Sequence, residues 1–147
     1  MKFRLDGPPT PLARPRMASS RRSLGGGGKV YDPQRHQKLI DGLKIARQYT
    51  GPLLTIPLLL TVEFHFAIPR SYSKSKKADT LGQYHYFKPD LSNLIKYIED
   101  LCTGIVYVDD ALIAKIIATK VYSEESYTEF TISSLTEGAY EEANKSG

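Results

Sequence analysis

Asp90 and Asp110 stand twenty positions apart in the stretch KPDLSNLIKYIEDLCTGIVYVDD, Lys88 to Asp110, with Lys96 between them and Asp109 beside the second. Carboxylates are the ligands that hard divalent cations prefer. Two of them from different elements, with a lysine nearby, suit hydrolysis of a phosphodiester. Each residue also has a plainer role. An Asp at a helix start caps backbone N–H groups and favours the helix dipole, and an Asp-Asp pair suits a turn. It is the combination, beside a basic half-chain, that points to chemistry.

The flanking pattern predicts what must position these groups. Leu91, Leu94, Ile95, Ile98, Leu101 and Cys102 fall on one helical stripe, with Gly104 as a stop. Ser92 and Lys96, four apart, share the exposed face near the start of that helix. IVYV, residues 105–108, predicts a short strand leading to Asp109, so that helix and strand return the two carboxylates to one corner. Further strands are expected around Phe3 and Leu5, and in PLLLTVEFHFAIP. There Leu60, Val62, Phe64 and Phe66 alternate with a face carrying Glu63 and His65. A helix is predicted from Asp32 to about residues 49–51, with Pro33 at its first position and Leu39, Ile40, Leu43 and Ala46 inward. LIAKIIATKVY and YTEFTIS predict two strands joined as a hairpin around Ser123 to Ser126.

A chain of 147 residues with 41% hydrophobic content fits one domain, here over 1–135, with a frayed acidic tail over 136–147. Charge is segregated. Residues 1–88 carry sixteen Lys and Arg against five Asp and Glu, and residues 89–147 carry four against eleven. The basic part suits a polyanion, while the acidic part holds the candidate carboxylates. Arg14 and Arg16 flank Pro15 in the stiff segment PPTPLARPR, which suits either a phosphate track or a packed connector. Arg21 and Arg22 precede four glycines in an expected mobile loop. Lys29 is followed there by Val30 instead of Ser or Thr, and no buried strand precedes it, which excludes a nucleotide-phosphate loop. Residues 70–87 read as a flexible basic loop. Its Arg70, Lys74, Lys76 and Lys77, with Lys88 just beyond, interleave with Tyr72, Tyr84, Tyr86 and Phe87, a composition able to stack on splayed bases. Cys102, the single cysteine, excludes an internal disulfide and a cysteine-rich zinc site. The longest apolar run, Ile56 to Leu60, is broken by Pro57. With neither a membrane span nor a signal-peptide pattern, a cytoplasmic location is expected.

KPDLSNLIKYIEDLCTGIVYVDDALI resembles the signature of the RusA family of Holliday-junction resolvases of bacteria and their phages. That signature is close to K-P-D-x-D-N-L-x-K followed by D-x-x-x-G-hydrophobic-hydrophobic-x-D-D. GPPTPLARPR and EFHF resemble the same family. The resemblance implies an α+β homodimer, with a small mixed sheet of about four to five strands and two main helices. It also implies binding to four-way junction DNA and symmetric cutting with Mg2+ or Mn2+. Asp90 and Asp110 fall on the family's catalytic aspartates and Lys96 on its essential lysine, while Arg14, Arg16, Arg21, Arg22, Arg70, Lys74, Lys76, Lys77 and Lys88 would track phosphates. One departure matters. The second acidic position of the signature is Ser92, whose hydroxyl holds a metal weakly or through water. Glu63, with Asp109, is then expected to supply the missing acid. The alternative is a junction or single-strand binding protein with weak or lost nuclease activity.

Overall fold

A computed structural model describes residues 1–13, 16–17 and 30–136. The expectations for Arg14, Arg21, Arg22, the glycine run and the tail beyond Thr136 lie outside them. In chain order the elements are β1 (Lys2–Asp6), β2 (Arg16–Met17), β3 (Val30–Tyr31), α1 (Arg35–Gln48), β4 (Leu58–Ala67), α2 (Lys74–Thr80), α3 (Leu91–Cys102), β5 (Ile113–Ser123) and β6 (Tyr127–Ser134). A 3-10 turn, Asp110–Leu112, precedes β5. The fold is α+β. Among the described residues its main sheet has four strands in the order β1-β6-β4-β5, and β2 pairs with β3.

Strict alternation makes β4 the centre of the sheet. Leu58, Leu60, Val62 and Phe64 are buried on one face, while Glu63 and His65 lie on the other. Phe3 and Leu5 of β1 and Phe130 and Ile132 of β6 join the same buried face. Against it packs α3, whose Leu94, Tyr97, Ile98, Leu101 and Cys102 form the buried stripe that the spacing predicts. Burial pushes the Cys102 thiol up to about 12, as suits an inert core residue.

The expected hairpin between the last two strands does not form. β5 runs parallel to β4 on one side, β6 antiparallel to β4 on the other, and β4 separates them. A short connection makes two strands neighbours only when no more apolar strand competes for the place between them, and β4 does so here. The parallel pair requires a crossover, which α2 and α3 provide.

Three further expectations are corrected. IVYV is not a strand. The chain turns back under α3, with Ile105 and Val106 N–H both donating to Cys102 C=O at 3.0 and 2.9 Å, and Tyr107 O–H donating to Glu99 C=O at 2.6 Å. The apolar run reflects burial of Val106 and Tyr107 in a turn. Residues 70–87 are not a uniform loop, since Ser73 caps a helix by accepting from Lys76 N–H at 3.2 Å. Third, α1 begins at Arg35 and is rotated relative to the predicted stripe. Ile45 and Gly42 are buried, whereas Leu39 is 62% exposed and Ile40, Leu43 and Ala46 also face outward. Polar anchors set that rotation. Tyr97 O–H donates to Asp41 Oδ2 at 2.6 Å, and Lys38 Nζ reaches Asp32 at 2.6 Å and Asp100 at 2.9 Å. Gly42 sits at this contact, where a Cβ would lie at an ordinary van der Waals distance of 3.4 Å from Ile105 Cδ1.

Candidate functional site

Asp90 occupies the N-cap position of α3, and its backbone carbonyl accepts from Asn93 and Leu94 N–H, both at 3.2 Å. Its side chain makes no capping bond. Instead Oδ1 accepts from Lys88 Nζ at 2.7 Å, across a cis Lys88–Pro89 peptide. That bond and the Lys88 charge hold the Asp90 carboxyl below the ordinary 3.8, with Lys120 adding to the effect. Asp90 is therefore an exposed, ionised carboxylate set between two cations.

Lys120 was not singled out by the sequence. It sits on β5 opposite Phe64, and its Nζ donates to Phe87 C=O at 2.5 Å and Pro89 C=O at 2.7 Å. The segment carrying Lys88 and Asp90 is thus pinned to the sheet. Burial lowers the Lys120 pKa, an effect that the Asp90 charge opposes. Nothing in the alternation of β5 distinguishes this lysine, and only the placement of the crossover reveals its role.

Beside this corner lies a cavity of about 610 Å3 lined by Tyr72, Lys76, Tyr84, Tyr86, Phe87 and Tyr122. Lys76 Nζ stands 3.9 Å over the Tyr72 ring, and the Tyr86 and Phe87 rings stack at 4.7 Å. Tyr84, Tyr86 and Phe87 are exposed, as are Arg70, Lys74, Lys76 and Lys77. Arg16 lies in β2.

Asp110 belongs to the opposite end of the crossover. Asp109 caps the 3-10 turn by accepting from Ala111 N–H at 3.0 Å, the main cause of its lowered pKa. Asp110 is raised above 3.8, first by the hydrogen bond it shares with Asp109, then by burial and by the charges of Asp109 and Asp100. Glu99 is raised too, by burial and then by Asp110, while the Lys96 charge acts against this. Lys96 and Asp110 are thus neighbours of Glu99, in the second half of α3.

The predicted set does not converge within one chain. Asp90 begins α3, and Glu99, which feels the Asp110 charge, lies ~14 Å further along the helix at about 1.5 Å per residue. Ligands of one Mg2+ sit ~2.1 Å from the ion, and paired ions stand roughly 4 Å apart, so carboxylates at this separation do not share a divalent site. Glu63 is placed elsewhere again. It lies on the open face of the sheet, bonded to His65 Nε2 at 3.1 Å and paired across β4 and β6 with Glu129, with the sheet between it and α3. Ser92 is exposed in the first turn of α3. Among the described residues, no group of three or more His, Cys, Asp or Glu is arranged to hold a metal ion.

A family profile described as Endodeoxyribonuclease RusA matches residues 6–133. The chain belongs to the RusA family. Membership implies an endodeoxyribonuclease, and the four-stranded mixed sheet with three helices is consistent with a RusA-like fold. The chain is also 29% identical over 140 residues, 90% of its length and 94% of the relative's, to a Bacillus subtilis (strain 168) protein named "Uncharacterized protein YqaN". Among the described residues, no helix is long and apolar enough to cross a membrane.

Proposed function

We propose that this chain is a structure-selective endodeoxyribonuclease that resolves four-way DNA junctions by paired strand nicks, acting as a homodimer with Mg2+ or Mn2+. Asp90 and Asp110 are its metal-binding carboxylates and Lys96 its third catalytic group. The observation that carries this reading is the state of Asp90. An N-cap aspartate ordinarily spends its carboxylate on backbone N–H groups, whereas this one makes no capping bond and is exposed, its Oδ1 accepting from Lys88 Nζ at 2.7 Å.

The surroundings support a DNA ligand. Lys88, together with Lys74, Lys76, Lys77 and Arg70, offers cations to phosphates, and the aromatic cavity offers stacking faces to bases unpaired at a branch point. Lys120 holds the Phe87–Asp90 segment in place, so that Asp90 meets the backbone in one orientation. A two-fold dimer matches the near two-fold symmetry of a junction, and paired incisions follow from that symmetry.

Incubation with Mg2+ and a synthetic four-way junction, alongside a linear duplex of the same sequence, tests the proposal. The expected result is symmetric nicks with 5′ phosphates in the junction alone, abolished by Asp90→Asn and by Asp110→Asn. A junction shifted in a gel yet never cut would replace nuclease with binding protein, the outcome that Ser92 in place of an acid favours. Equal affinity for junction and linear duplex would remove both readings.

A further inference from the structure

We propose that His85 is a positioning residue whose uncharged ring keeps residues 83–90 seated on the edge of β5, so that uptake of a proton by this ring unseats Asp90 and slows cutting. This rests on the reading of Asp90 as part of the cutting site.

His85 lies where the approach to Asp90 crosses the sheet. Its N–H donates to Lys120 C=O at 3.0 Å, and Gln83 C=O accepts from Tyr122 N–H at 2.9 Å. The imidazole is stacked on Phe66 of β4, with ring centres 4.0 Å apart and planes 14° from parallel. Phe87 and Tyr122 close around it at 6.1 and 5.0 Å. This ring cluster and the Lys120 bonds to Phe87 and Pro89 C=O are what hold the segment down.

The seat suits a neutral ring only. His85 Nδ1 is buried and, among the described residues, has no hydrogen-bond partner. A neutral imidazole that keeps its one proton on Nε2 leaves Nδ1 idle, whereas an imidazolium carries N–H at both nitrogens. Its Nδ1–H would be buried without an acceptor. A cation does gain from an aromatic face, but Lys120 Nζ already stands 6.0 Å from the centre of the Phe66 ring. A protonated His85 sets a second positive charge against that same ring. Burial, then the Lys120 charge, accordingly hold His85 below the ordinary 6.5.

The other groups around the ring do not offset this. β4 offers it Phe66, while Glu63 and His65 lie on the opposite face of the sheet. β5 offers Lys120 and the Tyr122 hydroxyl. Tyr72, Lys76 and Asp79 share a cavity with Tyr122, and residues 83–90 themselves bring Tyr86, Lys88 and Asp90. Of these, Lys120 supplies the charge that bears on the ring.

Off the sheet the ring is in water and titrates near 6.5, above its seated value. As pH falls below 6.5, protons therefore favour the unseated state, and the loss is complete once pH has passed the seated value. Asp90 directly follows the Pro89 carbonyl that Lys120 holds, so the released segment takes Asp90 with it.

The test is a nuclear magnetic resonance titration of the 15N-labelled full chain, free of metal and DNA, from about pH 8 to about pH 5, the window in which imidazole changes charge. The expected result is a His85 midpoint below 6.5, with the Lys88 and Asp90 amides shifting and losing exchange protection at that same midpoint. Midpoints set by the Asp90 carboxyl itself fall below 3.8 and are separate. In Lys120→Met the His85 midpoint should rise, and the two amides should no longer follow it. His85→Phe keeps the stack and takes up no proton, so the amide shifts should vanish. The acid fall in junction nicking, about tenfold per pH unit where only the neutral form cuts, should move to lower pH in the same variant. Lys88 and Asp90 amides that ignore the His85 midpoint in the wild type overturn the seat, with no variant needed. Amides that follow it, with one and the same acid fall in wild type and His85→Phe, overturn the link to cutting. A wild type that cuts no junction at any pH overturns the nuclease reading, while the amide titration still decides the seat.

Discussion

Replacing Lys120 by methionine isolates the bond pair that fixes the candidate catalytic segment. Lys120 Nζ donates to Phe87 C=O at 2.5 Å and Pro89 C=O at 2.7 Å, and Met keeps most of the stem while removing the charge and both donors. Hydrogen bonds from a charged donor contribute about 1.5–3 kcal/mol each. Against that gross gain stand the burial that lowers the Lys120 pKa and the ~2 kcal/mol of rotamer freedom that a fixed lysine gives up. A net loss of about 2 kcal/mol follows, or a melting temperature lower by ~6 °C in a domain of this size. Asp90 loses the second of its cations and its carboxyl titrates higher. Since a positional error of about 1 Å can slow an enzyme ~100-fold, junction nicking should fall by 10- to 100-fold, on the order of that effect. Thermal unfolding by circular dichroism, amide exchange at Lys88 and a junction-nicking time course measure the three consequences. Lys120→Arg, which retains donors and charge, should recover part of each. A Lys120→Met protein with wild-type melting, exchange and cleavage would refute the idea that the sheet holds the Asp90 segment.

Other outcomes follow from the same geometry. Gly42→Ala gains helix propensity of up to ~1 kcal/mol and meets only an ordinary contact with Ile105, so chemical denaturation should report equal or higher stability. Gly42→Leu adds bulk where α1 meets α3 and should cost about 1–3 kcal/mol by the same measurement. In a 13C carboxylate titration Asp90 should titrate below 3.8 and Asp110 above it. Asp109→Asn should lower the Asp110 value and Lys88→Met should raise that of Asp90. The linkage signs are opposite. The stabilisation of ionised Asp90 by Lys88 is present above pH 3.8 and lost as pH falls through its folded value, whereas ionised Asp110 is a strain on the fold that is relieved as pH falls through its raised value. Neutralising Lys74, Lys76 and Lys77 together should weaken binding to junctions of every sequence. It should also flatten the dependence of log K on log salt by ~0.9 for each phosphate that is no longer neutralised, measured by fluorescence anisotropy.

The elements with one clear period were legible in the sequence. β1, β4 and α3 each bury one face, and alternation or a 3.6-residue stripe marks that face directly. Elements whose placement depends on distant partners were not. The rotation of α1 is set by Tyr97, Asp32 and Asp100, none of which its own periodicity contains, and α2 has no buried residue to leave a stripe. Residues 105–108 are apolar because Val106 and Tyr107 are buried, and burial without a period does not distinguish a turn from a strand. The hairpin between β5 and β6 failed because order within a sheet is a non-local choice. At the candidate site, residue types pointed to Asp90, Lys88 and Asp110, and the aromatic residues beside Asp90 were legible from composition. The separation of the two aspartates and the role of Lys120 required the direction of β5, which no local pattern encodes.

The place of β6 also bears on how the chain folds. It lies between β1 and β4, pairing Phe3 with Phe130 and Val62 with the same Phe130, so the first strand has no neighbour in the main sheet until the last one arrives. During synthesis, β1 must wait while most of the chain is made, and its Phe3 and Leu5 stay exposed to water or to other chains. Slow closure of sequence-distant pairs is the expected kinetic signature. Shortening the chain before Ser134 removes the bridge that holds its beginning to its middle.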